Sequence, residues 1–232
     1  TSTKLNTDSR YDDSYGNTEI LWGGLLNLSY KFSNNHKLSI NFIRNQNASS
    51  EARYMYGEVA SDGSGRFRET RTIKFVNRVF TSGQLKGEHY FEDFYRIKVN
   101  WLSSYTISQQ DEPDLRFFTN SFYPNAPAGQ QKYSINTSEY SDPARYYRDM
   151  EELNFDNKLD IIIPFESLGR SAKFKMGGAY VYKDRDFNEK RFNFTTQYQE
   201  LYNGELDDYF TDANMTVPAP GQLPGIYVLV SQ

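Results

Sequence analysis

The 232-residue chain contains no cysteine, which excludes disulfides and thiolate metal sites and suits a bacterial envelope protein as well as a cytosolic one. It has only two histidines, His36 and His89, far apart in sequence and without the spacing of a metal site. His36 reads as turn chemistry and His89 as a strand-end residue. No apolar run approaches the roughly 18 residues that a membrane helix needs, and mean hydropathy is -0.77. These two facts exclude transmembrane helices but not a transmembrane barrel, whose strands alternate and therefore keep a low mean hydropathy. The net charge of -4 is too mild to indicate a nucleic-acid partner. No Ser-His-Asp signature, Walker loop or dinucleotide fingerprint is present, so no catalytic residue and no cofactor is expected. The acidic run Glu205, Asp207, Asp208 and Asp212 lacks the spacing of an EF-hand loop and reads as solvated, so no metal is expected either.

What the chain does have is aromatic side chains, nineteen Tyr and seventeen Phe, with abundant Asn, Ser and Thr and little Ala. That composition favours strands over helices. The clearest strand is Arg96 to Gln109. Its odd positions carry Ile97, Val99, Trp101, Ser103, Tyr105 and Ile107, whereas its even positions carry Arg96, Lys98, Asn100, Leu102, Ser104, Thr106 and Ser108. Successive strand side chains point to opposite faces, so one face is apolar and the other largely polar. Strands of soluble domains usually stop near five or six residues, whereas about fourteen residues tilted near 45° cross a bilayer's apolar band.

The same pattern recurs along the chain. It predicts an all-β, antiparallel up-and-down meander of about six long strands, near 18–32, 38–46, 70–90, 96–109, 151–165 and 172–183, with long loops at 47–69, 110–150 and 184–232. The residues before 18 read as a further polar loop. Short turns at Ser33 to Lys37, Glu92 to Tyr95 and Pro164 to Ser171 alternate strictly with the long loops. Outer-membrane barrels have short periplasmic turns and long extracellular loops, and a soluble sandwich has no reason to alternate them. Six strands do not close a membrane barrel, so they are expected to be part of a larger one. A polar start without a basic and then apolar leader, and an abruptly apolar finish, lead to the expectation of a chain cut at both ends.

Five motifs in order point to a family. GEHYF at Gly87 to Phe91, KVNW at Lys98 to Trp101, DEPDLRFF at Asp111 to Phe118, ARYYRDMEELNFDNKLDI at Ala144 to Ile161 and KMGGAYVYKDRDF at Lys175 to Phe187 together resemble the barrel of TonB-dependent outer-membrane receptors, especially those of Bacteroidetes-type bacteria. The resemblance implies a transmembrane β-barrel of about twenty-two strands in the outer membrane of a Gram-negative cell. It also implies a plug domain in the lumen, TonB as an energy-supplying partner, and import of a scarce ligand such as a siderophore, cobalamin or an oligosaccharide. This chain, 1–232, would be a partial barrel domain in contact with outer-membrane lipid.

The candidate ligand-binding residues are Asp114, Arg116, Arg145 and Arg148. Arginines grip anions through paired hydrogen bonds, but the same four residues, with Asp111 and Glu112, also suit a salt-bridged loop base. Trp22, Tyr30, Trp101, Tyr105, Tyr180 and Tyr182 fit interfacial girdles, while Lys98, Asn100, Asn154, Asp156 and Lys158 suit a lumen lining. A rival reading is a soluble, secreted β-sheet module that binds glycans through its aromatic surface.

Overall fold

A computed structural model describes residues 9–59, 65–130, 132–135, 143–196, 201–217, 219–222 and 224–231. Six long strands dominate it: β1 (Ser9–Ser33), β2 (His36–Val59), β3 (Phe67–Phe91), β4 (Ile97–Phe122), β6 (Ala144–Ser167) and β7 (Arg170–Thr196). Two short strands, β5 (Tyr133–Ile135) and β8 (Ile226–Ser231), and two single-turn helices, α1 (Leu206–Tyr209) and α2 (Asp212–Met215), complete the elements. The sheet is antiparallel throughout, in the order β1-β2-β3-β4-β6-β7-β8, with β5 also paired to β4, and it does not close.

All three expected hairpins form. Asn34 and Asn35 turn the first, where Asn35 N–H donates to Ser33 Oγ and Tyr90 N–H donates to the Asn35 carbonyl. The second turns over residues 92–96, with Tyr95 and Arg96 at positive φ. The third is the two-residue loop Leu168-Gly169 between paired Ser167 and Arg170, with φ of 51° and 71°. Positive φ at both central residues is the turn whose twist matches that of the strands.

The strands are far longer than expected, at 24 to 27 residues each. The polar stretches 9–17, 47–59, 67–69, 110–122, 144–150 and 184–196 are strand rather than loop. Their alternation is hard to see because neither face is apolar there, so backbone pairing continues without a hydrophobic stripe to mark it. Of the residues expected in loops, 1–8, 60–64, 131, 136–142, 197–200, 218, 223 and 232 lie outside the described ones.

Two irregularities interrupt the ladders, one beside the first hairpin between Lys31 and Ser33 and one in the upper half of β4. Against β3 the register shifts between Ile73 and Asn77, and against β6 between Glu112 and Leu115. The β2–β3 register is continuous through the same level, so the extra residue belongs to β4, around Pro113 and Asp114. Proline has no N–H to give a ladder and within sheets is found at edges and bulges, so Pro113 is the cause legible in the sequence.

Ladder partners share a face, and the two faces differ throughout the turn-side half of the sheet. One row reads Leu26, Phe42, Gly83, Tyr105, Phe155 and Tyr182, and the next on the opposite face reads Asn27, Asn41, Gln84, Ser104, Asp156 and Val181. The sheet is a single layer here, so no element among the described residues covers either face and the apolar side chains stand in the open. Phe42, Tyr105 and Phe155 are 41%, 50% and 40% exposed, whereas Ser82 and Ser104 on the polar face are 3% and 6% exposed. Small polar residues are thus tucked among their larger neighbours while rings and branched chains stand outward.

The hairpin ends are staggered. The row that closes the first hairpin, Ser33 and His36, continues through His89 and Val99 to Ile161, yet the third hairpin closes six residues beyond Ile161, at Ser167. Six residues span about 20 Å along a strand, and the four strand spacings between those hairpins span about 19 Å. Turns lying on one plane would therefore incline the strands by about 45°. The apolar band shows the same slant: Ile20 of β1 shares its row with Ala48, Asn77, Asp111, Asp149 and Asn188.

Candidate functional site

Beyond the apolar band, toward the long connections, both faces become charged. The bulge at Pro113 shifts the strand parity and presents Asp114 beside Arg116 on the same face as Arg145 of β6. Arg145 donates Nε–H to Asp114 Oδ1 and an Nη2–H to Oδ2, both at 2.8 Å. Arg116 donates to Oδ2 from Nε and Nη2 at 2.8 and 2.6 Å. Those hydrogen bonds, from Arg145 first and then Arg116, hold the Asp114 carboxyl down at about 2 against the opposing effect of partial burial. Arg148 is three residues from Arg145 and so lies on the other face, where it bonds Glu189 Oε2 at 2.5 Å and Glu112 Oε2 at 3.5 Å. The four candidate residues therefore divide three to one between the faces, and each is engaged in an ion pair.

The polar face carries a second cluster below Arg148. Glu152, only 7% exposed, accepts from Asn154 and Arg185 and pairs with Lys183 at 2.9 Å. With Asp156 and Lys158 on the same face, this makes a ladder of alternating charge down β6 and β7.

On the apolar-parity face the chain folds back on the sheet. Phe118, Ile135, Tyr202, Tyr209 and Ile226 form the one hydrophobic core among the described residues, with Phe194, Leu206 and Phe210 packed against it. Tyr202 Oη–H donates to Asn120 Oδ1, which also accepts from Arg71, and burial pushes the Tyr202 phenol up to about 12. A cavity of about 420 Å³ lies between this cluster and the strands. Phe117, Phe118, Phe194 and Phe210 form its apolar walls, with Met215 of α2, and three guanidiniums line it: Arg71, Arg116 and Arg145.

The remaining sequence candidates are placed as follows. Lys98, Asn100, Asn154, Asp156 and Lys158 share the polar face, and Trp22, Tyr30, Trp101, Tyr105, Tyr180 and Tyr182 share the apolar one. Trp101 stands near the middle of the band rather than at its rim, opposite Leu159. There its ring crosses Gly87, whose missing Cβ leaves the space, and its Nε1–H donates to His89 Nε2 at 3.0 Å. His89 Nδ1 then lies 3.1 Å from His36 Nδ1, so the histidines are neighbours in space despite their separation in sequence. Phe32, stacked on His36, and Phe91 enclose the pair. No group of three metal-ligating side chains exists among the described residues. Asp207, Asp208 and Asp212 fall in the first turns of α1 and α2, where carboxylates complement the helix dipole.

Sequence reasoning missed the cavity. Arg71 lies at the start of the expected strand 70–90 and Phe194 and Phe210 in the expected loop 184–232, and no local pattern joins them. No protein-family model matches the chain, and no curated protein matches it by sequence.

Proposed function

We propose that this chain is a section of the barrel of a TonB-dependent outer-membrane receptor, in which the apolar face meets lipid and the polar face lines the lumen. The observation that carries the reading is the inverted single-layer sheet, whose large side chains stand uncovered while its serines are tucked in. In water such a face would be covered by a second layer, because every sheet buries its hydrophobic side against something. The stagger of about 45° and the run of six long staves with turns at one end and long connections at the other support a barrel, whose strands tilt by about 35–45°. The free edge of β1 has no partner among the described residues. In hydrocarbon each unsatisfied backbone group costs several kcal/mol, so further staves complete the wall, about twenty-two in all if the resemblance to the receptor family holds.

On this reading the charged ladder of Glu152, Asp156 and Lys158 faces the plug or the water of the lumen, and the strand extensions beyond the band rise above the membrane. The transported ligand is a siderophore, cobalamin or an oligosaccharide, and TonB supplies the energy through the plug. The soluble glycan-binding alternative has no element among the described residues to cover the aliphatic half of the band, Leu26, Leu28, Ile40 and Ile161. The test is fractionation: the protein is expected in the outer-membrane fraction, resistant to alkaline extraction and released by detergent. Recovery in the soluble fraction without detergent would overturn the reading.

A further inference from the structure

We propose that the cavity between the upper strands and the α1–α2 segment binds a small amphipathic anion, a carboxylate or phosphate joined to an aromatic or acyl body. The proposal does not depend on the barrel reading, because it rests on the cavity's own chemistry. At about 420 Å³ it falls within the usual size of small-molecule sites, which are mostly apolar and carry a few convergent polar groups. Phe118 and Phe210 meet edge to face at 6.0 Å, as do Phe194 and Phe210 at 5.3 Å, and this sets the aromatic wall. Opposite it the charge does not balance. Arg116 and Arg145 share the single carboxylate of Asp114, and Arg71 pairs with Glu69, so three guanidiniums meet two carboxylates.

Each guanidinium has five N–H donors in a fixed fork, and the bonds to Asp114 engage only Nε and Nη2 of Arg116 and of Arg145. In Arg116 this leaves Nη1 to meet an incoming anion, while Arg145 also hydrogen-bonds Tyr147. Arg116, with 55% of its side chain exposed, is the one best placed to receive it from solvent. Asp114 serves as the positioning group that ties the two guanidiniums to one carboxylate, Arg145 across both oxygens and Arg116 on Oδ2. Cavity and polar ladder lie on opposite faces of the sheet, so in a barrel this site is on the outer surface and off the path of an imported ligand.

The same chemistry is offered by a free organic acid and by an acidic lipid headgroup, and the experiment separates them. The protein, solubilised in a neutral maltoside detergent, is titrated calorimetrically with 2-naphthoate and with the uncharged 2-naphthamide. Naphthoate is expected to bind at least tenfold more tightly than the amide, a comparison that needs no altered protein. Arg116→Gln and Phe210→Ala, each with an unchanged melting profile, are expected to weaken naphthoate about tenfold, while Lys31→Gln near the first turn leaves it unchanged. Displacement of naphthoate by dihexanoyl phosphatidylglycerol, but not by dihexanoyl phosphatidylcholine, identifies a lipid headgroup as the occupant; displacement by neither identifies a free acid. Equal binding of acid and amide, no binding of either, or folded Arg116→Gln protein that binds as tightly as the unaltered protein overturns the proposal.

Discussion

Placing a single arginine at Leu159 discriminates between a lipid-facing and a water-facing sheet. The outward apolar run of β6 extends from Leu153 to Phe165, about 40 Å along the strand and, at a tilt of about 45°, about 28 Å along the membrane normal. That matches a hydrocarbon core of about 30 Å, and Leu159 is its midpoint. Leu159 is already 44% exposed, so in a soluble sheet Leu159→Arg would leave the long side chain in water and cost no more than about 0.5 kcal/mol. At the bilayer midplane the same change costs about 2–4 kcal/mol. Stability is read by urea titration of the protein folded in phosphatidylcholine vesicles, following tryptophan fluorescence, for which Trp101 directly opposite Leu159 is a local reporter. Lys158→Gln, one residue along and on the other face, serves as the control and is expected within about 0.5 kcal/mol of the unaltered protein. A cost below about 1 kcal/mol for Leu159→Arg, or a larger one for Lys158→Gln, would refute the assignment of faces.

Two further changes test the structure at other levels. Asp114→Asn is expected to loosen the upper strands by about 1 kcal/mol at pH 7, a figure already reduced for solvent screening of a partly exposed ion pair. Because the folded carboxyl titrates near 2 and an unfolded one near 3.9, the stabilisation is complete above about pH 4 and fades as pH falls through 2; amide exchange over Arg116 to Phe118 should converge for the two proteins in that window. Gly87→Ala puts a Cβ into the Trp101 ring, so the indole must leave His89. We expect a shift in Trp101 emission and a loss of about 1–3 kcal/mol from overpacking, and an unchanged spectrum would contradict the packing described.

The legible part of this fold was the part where physics imposes a period. From Leu26 to Phe32 or Leu153 to Phe165, one face must be apolar and the other polar, so six strands and three turns could be read directly. Above the band the strands are held by backbone pairing and scattered pairs such as Arg53 with Asp13, which leave no period in the sequence. The pairing of Asp114 with Arg116 and Arg145 followed from proximity to a strand end, whereas the placing of Arg148 on the opposite face required the strand to continue through that segment. Arg71 and Phe210 meet at the cavity only because the chain beyond β7 folds back across the sheet, a long-range event with no local signature. His36 and His89 became neighbours through the register of β2 on β3, again a property of pairing rather than of spacing.

The absence of cysteine makes the decisive measurement direct, since single cysteines can be introduced one at a time and spin-labelled. Across residues 153–163 of β6, in protein reconstituted into lipid vesicles, the labels at odd positions are expected to be relaxed by oxygen dissolved in the bilayer, and those at even positions by a water-soluble nickel chelate. Strict alternation of the two, with oxygen access greatest near Leu159, is the result the lipid-facing account predicts. Labels that meet the nickel chelate equally on both faces would contradict it.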